Sequence, residues 1–262
     1  MSALPAQIRS RVAIEARQYV RRTEAVFFGF VLPPLLLVLF ASVFGGRAAG
    51  TNVPFAQYFL AGIVGAIGLN LGFATLAGSL ATDRGTGALA RLATTPMSPI
   101  VYVVAKVIVL LAATAAQLVT LLALGRLAFG LRLPNGHGWI TLTWVLTLSV
   151  VCFSVLGVAW SVLIKDPESA TAVISPVIVV MPFVSGVYFV FGDLPGWMRA
   201  IGSAFPLRWA TLGMRAAFLP DRFQAAEPGG SWHLLVVAAL LIGWTVAGGA
   251  ISARTFRWRT DG

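Results

Sequence analysis

The chain has 262 residues, of which 58% are hydrophobic and 11% charged, against roughly 25% charged in an ordinary soluble domain. A single soluble core stops growing near this length, so lipid must serve as part of the solvent. The net charge of +10 does not point to nucleic acid, because the arginines sit at the ends of apolar runs instead of gathering in one patch.

Six runs, 25–46, 48–82, 107–125, 133–164, 169–192 and 228–253, lack Asp, Glu, Lys and Arg. Each is long enough for the roughly 20 residues that cross a bilayer core as a helix. Barrel strands would be about 10 residues long and alternate in polarity, which excludes them. The expected architecture is one all-α polytopic membrane domain over residues 1–262 with six transmembrane helices. With both termini in the cytoplasm, inner segments carry twelve basic residues and outer segments seven. The positive-inside rule favours that orientation, in a bacterial inner membrane. The inner set includes Arg257 and Arg259 of the tail.

In chain order, 5–24 reads as an amphipathic interfacial helix. Ile8, Val12, Ala16 and Tyr19 share one face and arginines spread over the rest, a pattern that suits a helix lying on anionic headgroups. Span 1 is expected over about 25–44, kinked or started late by Pro33-Pro34. Span 2 covers about 55–80, with Gly62, Ala66 and Asn70 along one stripe that reads first as close helix packing. Ser98-Pro99 should cap and start span 3, about 99–124. A turn at Pro134-Asn135-Gly136 precedes span 4, about 139–164, and Lys165-Asp166-Pro167-Glu168 forms a tight inner loop before span 5, about 169–191. Two apolar pieces within 194–220, divided at Phe205-Pro206, are each too short to cross a core about 30 Å thick. A re-entrant outer-leaflet hairpin suits them, and helices lying flat on the surface remain open. Span 6 is expected over about 232–252.

The chain carries no phosphate-binding P-loop: its lysines, Lys106 and Lys165, follow Ala105 and Ile164 instead of a glycine. His137 and His233 sit in or beside outer loops and offer no paired metal motif. Cys152 lies mid-span and reads as a packing thiol. No carboxylate falls within the middle of a span, as a gradient-coupled carrier would require, and no buried base is available for a hydrolase. The reading is a transport subunit with no catalytic site, metal or cofactor of its own and an energy source outside the chain.

The inner segment from Ala81 to Pro99 is therefore central. Thr86 is expected to cap a short helix over 84–96 that Pro96 ends, with Leu89, Leu92 and Ala93 on one face and Arg91 off it. Such a helix fits a groove on a soluble partner or lies on the membrane surface; the residues alone leave both open.

Asp83, Arg84, Gly87, Leu89, Arg91, Leu92, Thr95, Pro96 and Lys106 resemble the coupling region of type-2 ABC exporter permeases. Gly85 and Ala90 stand where that family often has Glu, and Ala88 where it often has Thr. A second match runs through Ser185-Gly186, Leu194-Pro195-Gly196-Trp197, Phe205-Pro206-Leu207-Arg208 and Arg215. The resemblance implies two permease chains, alike or different, with two ABC ATPase subunits that hold ATP and Mg docked below. It makes Asp83, Arg84, Gly87, Leu89, Arg91, Leu92, Pro96 and Lys106 the ATPase-coupling residues. Ser185, Gly186, Pro195, Trp197, Pro206 and Arg215 would form an outer gate. Asn70, Phe73, Thr114 and Gln117 could line a path. Uncharged spans favour export of a hydrophobic or amphipathic compound such as a drug, antibiotic or lipid. Export of a polysaccharide or glycolipid, or gradient-driven transport without an ATPase, are the alternatives. Membrane lipids are the remaining expected partner, and nucleic acid is not one.

Overall fold

The computed structural model describes residues 3–48, 51–95 and 97–255. Pro96, Arg257 and Arg259 lie outside them. The described residues form helices joined by turns and loops, with an isolated antiparallel bridge between Arg47 and Pro54 and no strand among them. Among the described residues, four helical stretches are long and apolar enough to cross a bilayer: Phe55–Gly85, Pro99–Phe129, Gly136–Leu163 and Leu234–Arg254. These correspond to expected spans 2, 3, 4 and 6.

The other two expected spans are shorter or broken. Span 1 divides at Val31 into α2 (Thr23–Phe30) and α3 (Leu32–Val43). Pro33 and Pro34 supply no backbone N–H, so the helix restarts just before them. Span 5 is α9 (Ala170–Val184), with Pro176 and Pro182 inside it. At 1.5 Å per residue it is about 22 Å long, less than a hydrocarbon core.

The helix expected at the interface forms as α1 (Ala3–Arg21), and it lies against the start of α7 (Pro99–Phe129). Local chemistry sets several boundaries. The Ser98 hydroxyl accepts the Val101 N–H at 3.3 Å with Pro99 at the first helical position of α7. That helix ends at Gly130 in the left-handed region, where the Leu131 N–H bonds the Gly125 carbonyl. Asn135 caps α8 (Gly136–Trp160) by accepting the Gly138 N–H at 2.8 Å.

The stretch 55–85 is the axis of the bundle. The most apolar part of it is 83% buried, against 17% for α12 (Leu234–Thr255). It runs as α4 (Phe55–Ile67), a π-helix at Gly68–Ala74 and α5 (Thr75–Gly85). Glycines on this axis let neighbouring backbones touch. A Cβ at Gly62 would lie 2.7 Å from the Val187 carbonyl oxygen, and one at Gly72 would lie 2.9 Å from that of Val150. The Gly62 stripe is thus a packing seam.

The hairpin forms as α10 (Gly196–Ala204) and α11 (Pro206–Phe218). They part company in depth: eleven residues of α11 are buried, packed against α4 and α8, while only Gly202 of α10 is. α11 does not lie flat on the bundle; it is one of its interior helices.

Candidate functional site

At the end of the bundle that carries the short helix α6 (Ala88–Ala93), a buried ionic network joins three elements. Lys106 of α7 reaches Glu15 of α1 at 2.8 Å and Asp83 of α5 at 2.9 Å. Arg11 holds the other Glu15 oxygen at 2.5 Å, the Tyr102 hydroxyl donates to Asp83 at 2.5 Å, and Arg22 stands 3.6 Å from the same carboxylate. Lys106 and Arg11 both lie over the Tyr102 ring. Ions so deeply buried persist because each is paired and hydrogen-bonded. Nearby, Arg84 donates to the Ser161 carbonyl at 2.5 Å and its hydroxyl at 3.0 Å, tying the end of α5 to that of α8. Burial pushes the Tyr19 phenol on α1 up to about 12.

From this anchored stem α6 projects. Its cap is Gly87 at φ 68°, not Thr86. The Thr86 hydroxyl bonds back to the Thr82 carbonyl at 2.9 Å and so finishes α5 instead. Leu89 is buried at 3% exposure, in a cluster with Leu76, Leu80 and Tyr102, and Leu92 packs on the same cluster. The apolar side of α6 therefore sits on its own chain. Ala90, Arg91, Thr94 and Thr95 face outward, and Arg91 caps the Thr86 carbonyl at 3.1 Å. The glycine at 85 also gains a reason: a Cβ there would come 2.4 Å from the Pro167 ring, so any side chain would push the 165–168 loop off the stem.

The opposite end holds a second buried cluster. Glu227 binds Arg208 at 2.7 Å and Arg215 at 3.0 Å. Arg215, fully buried, also donates to the Gly186 carbonyl and lies over the Tyr58 ring. The Tyr58 hydroxyl accepts the Phe191 N–H at 3.1 Å and donates toward the Phe189 carbonyl at 3.3 Å. Burial alone would push the Glu227 carboxyl up, but Arg215 and Arg208 outweigh it and hold the group below its ordinary value. Gly186, at φ 75°, makes the turn that aims its carbonyl at Arg215. Ser185 joins α11 through its carbonyl, which accepts the Thr211 hydroxyl at 3.2 Å. Ser185, Gly186 and Arg215 thus meet in one buried clamp, and Pro206 is the buried first residue of the helix that carries Arg215. Pro195 and Trp197 do not: they stand exposed at the start of α10, with Trp197 at 65%.

The four mid-bundle residues divide. Asn70 and Phe73 lie on the π-helix, where Asn70 is half-buried and bonds the Ala66 carbonyl at 3.2 Å. Phe73 packs edge-on against Trp160. Thr114 and Gln117, one turn apart on α7, are buried, and neither side chain has a hydrogen-bond partner among the described residues. Buried polar groups left without a partner are uncommon.

The residues that sequence reading missed are the acidic and aromatic partners: Glu15, Tyr102, Tyr58 and Glu227. Only Glu15 left a signal, a carboxylate set within the stripe formed by Val12 and Tyr19.

Comparison with known proteins matches residues 6–219 to the ABC-2 type transporter family model. The chain belongs to that family. A curated relative, the daunorubicin resistance ABC transporter permease protein DrrB1 of Streptomyces coeruleorubidus, is 27% identical over 188 residues. The match covers 71% of this chain and 65% of the relative, so the chain spans about two thirds of that protein's length. As an ABC-2 permease, the chain is a multi-pass membrane protein. Its stem network falls within the matched region, and Glu227 lies beyond it.

Proposed function

We propose that this permease is the transmembrane subunit of an ATP-driven exporter in the bacterial cytoplasmic membrane. A separate ABC ATPase holds ATP and Mg and docks on α6, and two permease chains enclose the path. The carrying observation is the stem. Lys106 locks α1, α5 and α7 into one body at the base of α6, so force applied there reaches three helices together. Arg84 extends the connection to α8. Support for export comes from family membership and from a relative named for drug resistance. The apolar spans suit a hydrophobic or amphipathic cargo. Six crossings with both termini inside follow if the broken α2–α3 pair and α9 traverse the bilayer with the four longer stretches.

The inward seating of Leu89 decides how to test docking. Leu89→Asp would unseat α6 from its own core, so the informative changes are on the outward face. The tagged chain, purified from its native membrane in mild detergent, is expected to bring down a stoichiometric ABC ATPase. Arg91→Glu with Thr94→Glu should release the ATPase while leaving the permease folded. A preparation free of ATPase even after crosslinking would overturn the exporter reading in favour of gradient-driven transport.

A further inference from the structure

At the hairpin end, a cavity of about 350 Å³ opens between the ends of α3, α7 and α11 and the start of α4. Its size falls in the range of small-molecule sites. Phe44, Phe55, Phe129 and Phe218 form its apolar wall. Arg132 and Arg222 line it as well; both are exposed, and neither has an ion pair among the described residues. The carboxylates on the neighbouring turn make no ion pair with either arginine among the described residues. Asp221 accepts from Gln224 and Trp232, and Glu227 is held by Arg208 and Arg215.

The cavity is also braced. Gln57, 4% exposed, donates to the Arg132 carbonyl at 2.9 Å and accepts the Arg132 N–H at 2.8 Å, fixing the Arg132 backbone against α4. Exposed Trp139 and Trp197 at this same end suit the level of lipid headgroups.

From these observations we infer that the cavity is a binding site for an anionic amphiphile, a phosphate-bearing headgroup with an apolar chain. The two guanidinium groups take the phosphate, for which their planar forks are suited. The phenylalanine wall takes the chain. A cationic compound is disfavoured there by the two guanidinium charges. The inference uses the membrane placement of this end and not the export reading.

The test is calorimetric titration of the delipidated permease in detergent, without ATP or ATPase. Short-chain phosphatidylglycerol should bind at one saturable site, and short-chain phosphatidylcholine and inorganic phosphate should each bind about tenfold more weakly. Arg132→Gln with Arg222→Gln should weaken phosphatidylglycerol binding by a similar factor, with the far-ultraviolet circular dichroism unchanged. Ala41→Phe, which narrows the cavity and keeps both arginines, should do the same. Equal affinity for the two lipids, or no effect of the double arginine substitution, would overturn the inference. Inorganic phosphate binding as tightly as the lipid would overturn the amphiphile assignment, since the wall would then contribute nothing.

Discussion

Lys106 is the residue on which the stem depends. Its ammonium faces two carboxylates and an aromatic ring, all buried. Lys106→Ala leaves Glu15 and Asp83 sharing only the remaining arginines and the Tyr102 hydroxyl. Removing one partner from a buried ionic group typically costs about 3–5 kcal/mol. Thermal unfolding in detergent should show a large drop for Lys106→Ala. The drop should be smaller for Lys106→Met combined with Asp83→Asn, because Glu15 then keeps Arg11 and the released Arg22, 30% exposed, can turn to water. Glu227 makes a second prediction, in pH. Its folded carboxyl titrates below the ordinary value of 4.5. Its contribution is therefore complete above the ordinary value and is lost as pH falls through the lower folded one. Unfolding temperatures measured from about pH 6 down to about pH 3 should fall more steeply for the native chain than for Glu227→Gln. At neutral pH the variant should be the less stable of the two.

Among the elements, the seam between the π-helix and α8 is the tightest long contact on the axis. A Cβ at Gly157 would lie 2.6 Å from the Phe73 carbonyl oxygen, which is backbone and cannot swing away. Gly157→Val should cost about 1–3 kcal/mol through overpacking, read as a lowered unfolding temperature. Gly243→Val on α12, where a Cβ meets nothing within 4 Å, should be close to neutral. The elements also show what a sequence can disclose. Breaks written in local chemistry were legible: Ser98-Pro99, Asn135 before its helix, and the division at Phe205-Pro206. Interior direction was not. Leu89 and Leu92 form an apolar face whether that face meets a partner or their own chain, and the pattern is the same in both cases. Nor could local patterns reveal that Lys106 pairs with a carboxylate 91 positions away. The π-helix left no trace either; Gly68 and Gly72 within it are where the axis comes close to α8.

For the whole molecule, the single cysteine makes the number of bilayer crossings measurable. Cys152 is buried, so the native chain should react slowly with a membrane-impermeant maleimide, and introduced cysteines report on a quiet background. With six crossings, Gly45→Cys, Arg132→Cys and Trp197→Cys label from outside intact cells. Thr94→Cys and Asp166→Cys label only after the membrane is opened. Labelling of position 45 from the same side as a cysteine placed at Ser10, an exposed position on α1, would mean that α2 and α3 do not cross.

The clamp of Arg208, Arg215 and Glu227 bears on the order in which the chain is made. The two arginines lie 19 and 12 positions ahead of their carboxylate. While the ribosome is still adding those intervening residues, α11 carries two guanidinium charges destined for the protein interior and no counter-charge to accompany them. Seating α11 between α4 and α8 at that stage would bury both unpaired. The helix is therefore expected to take its place only after residue 227 has emerged; ribosome-bound chains stopped before and after that residue should differ in whether cysteines on α11 and α8 crosslink.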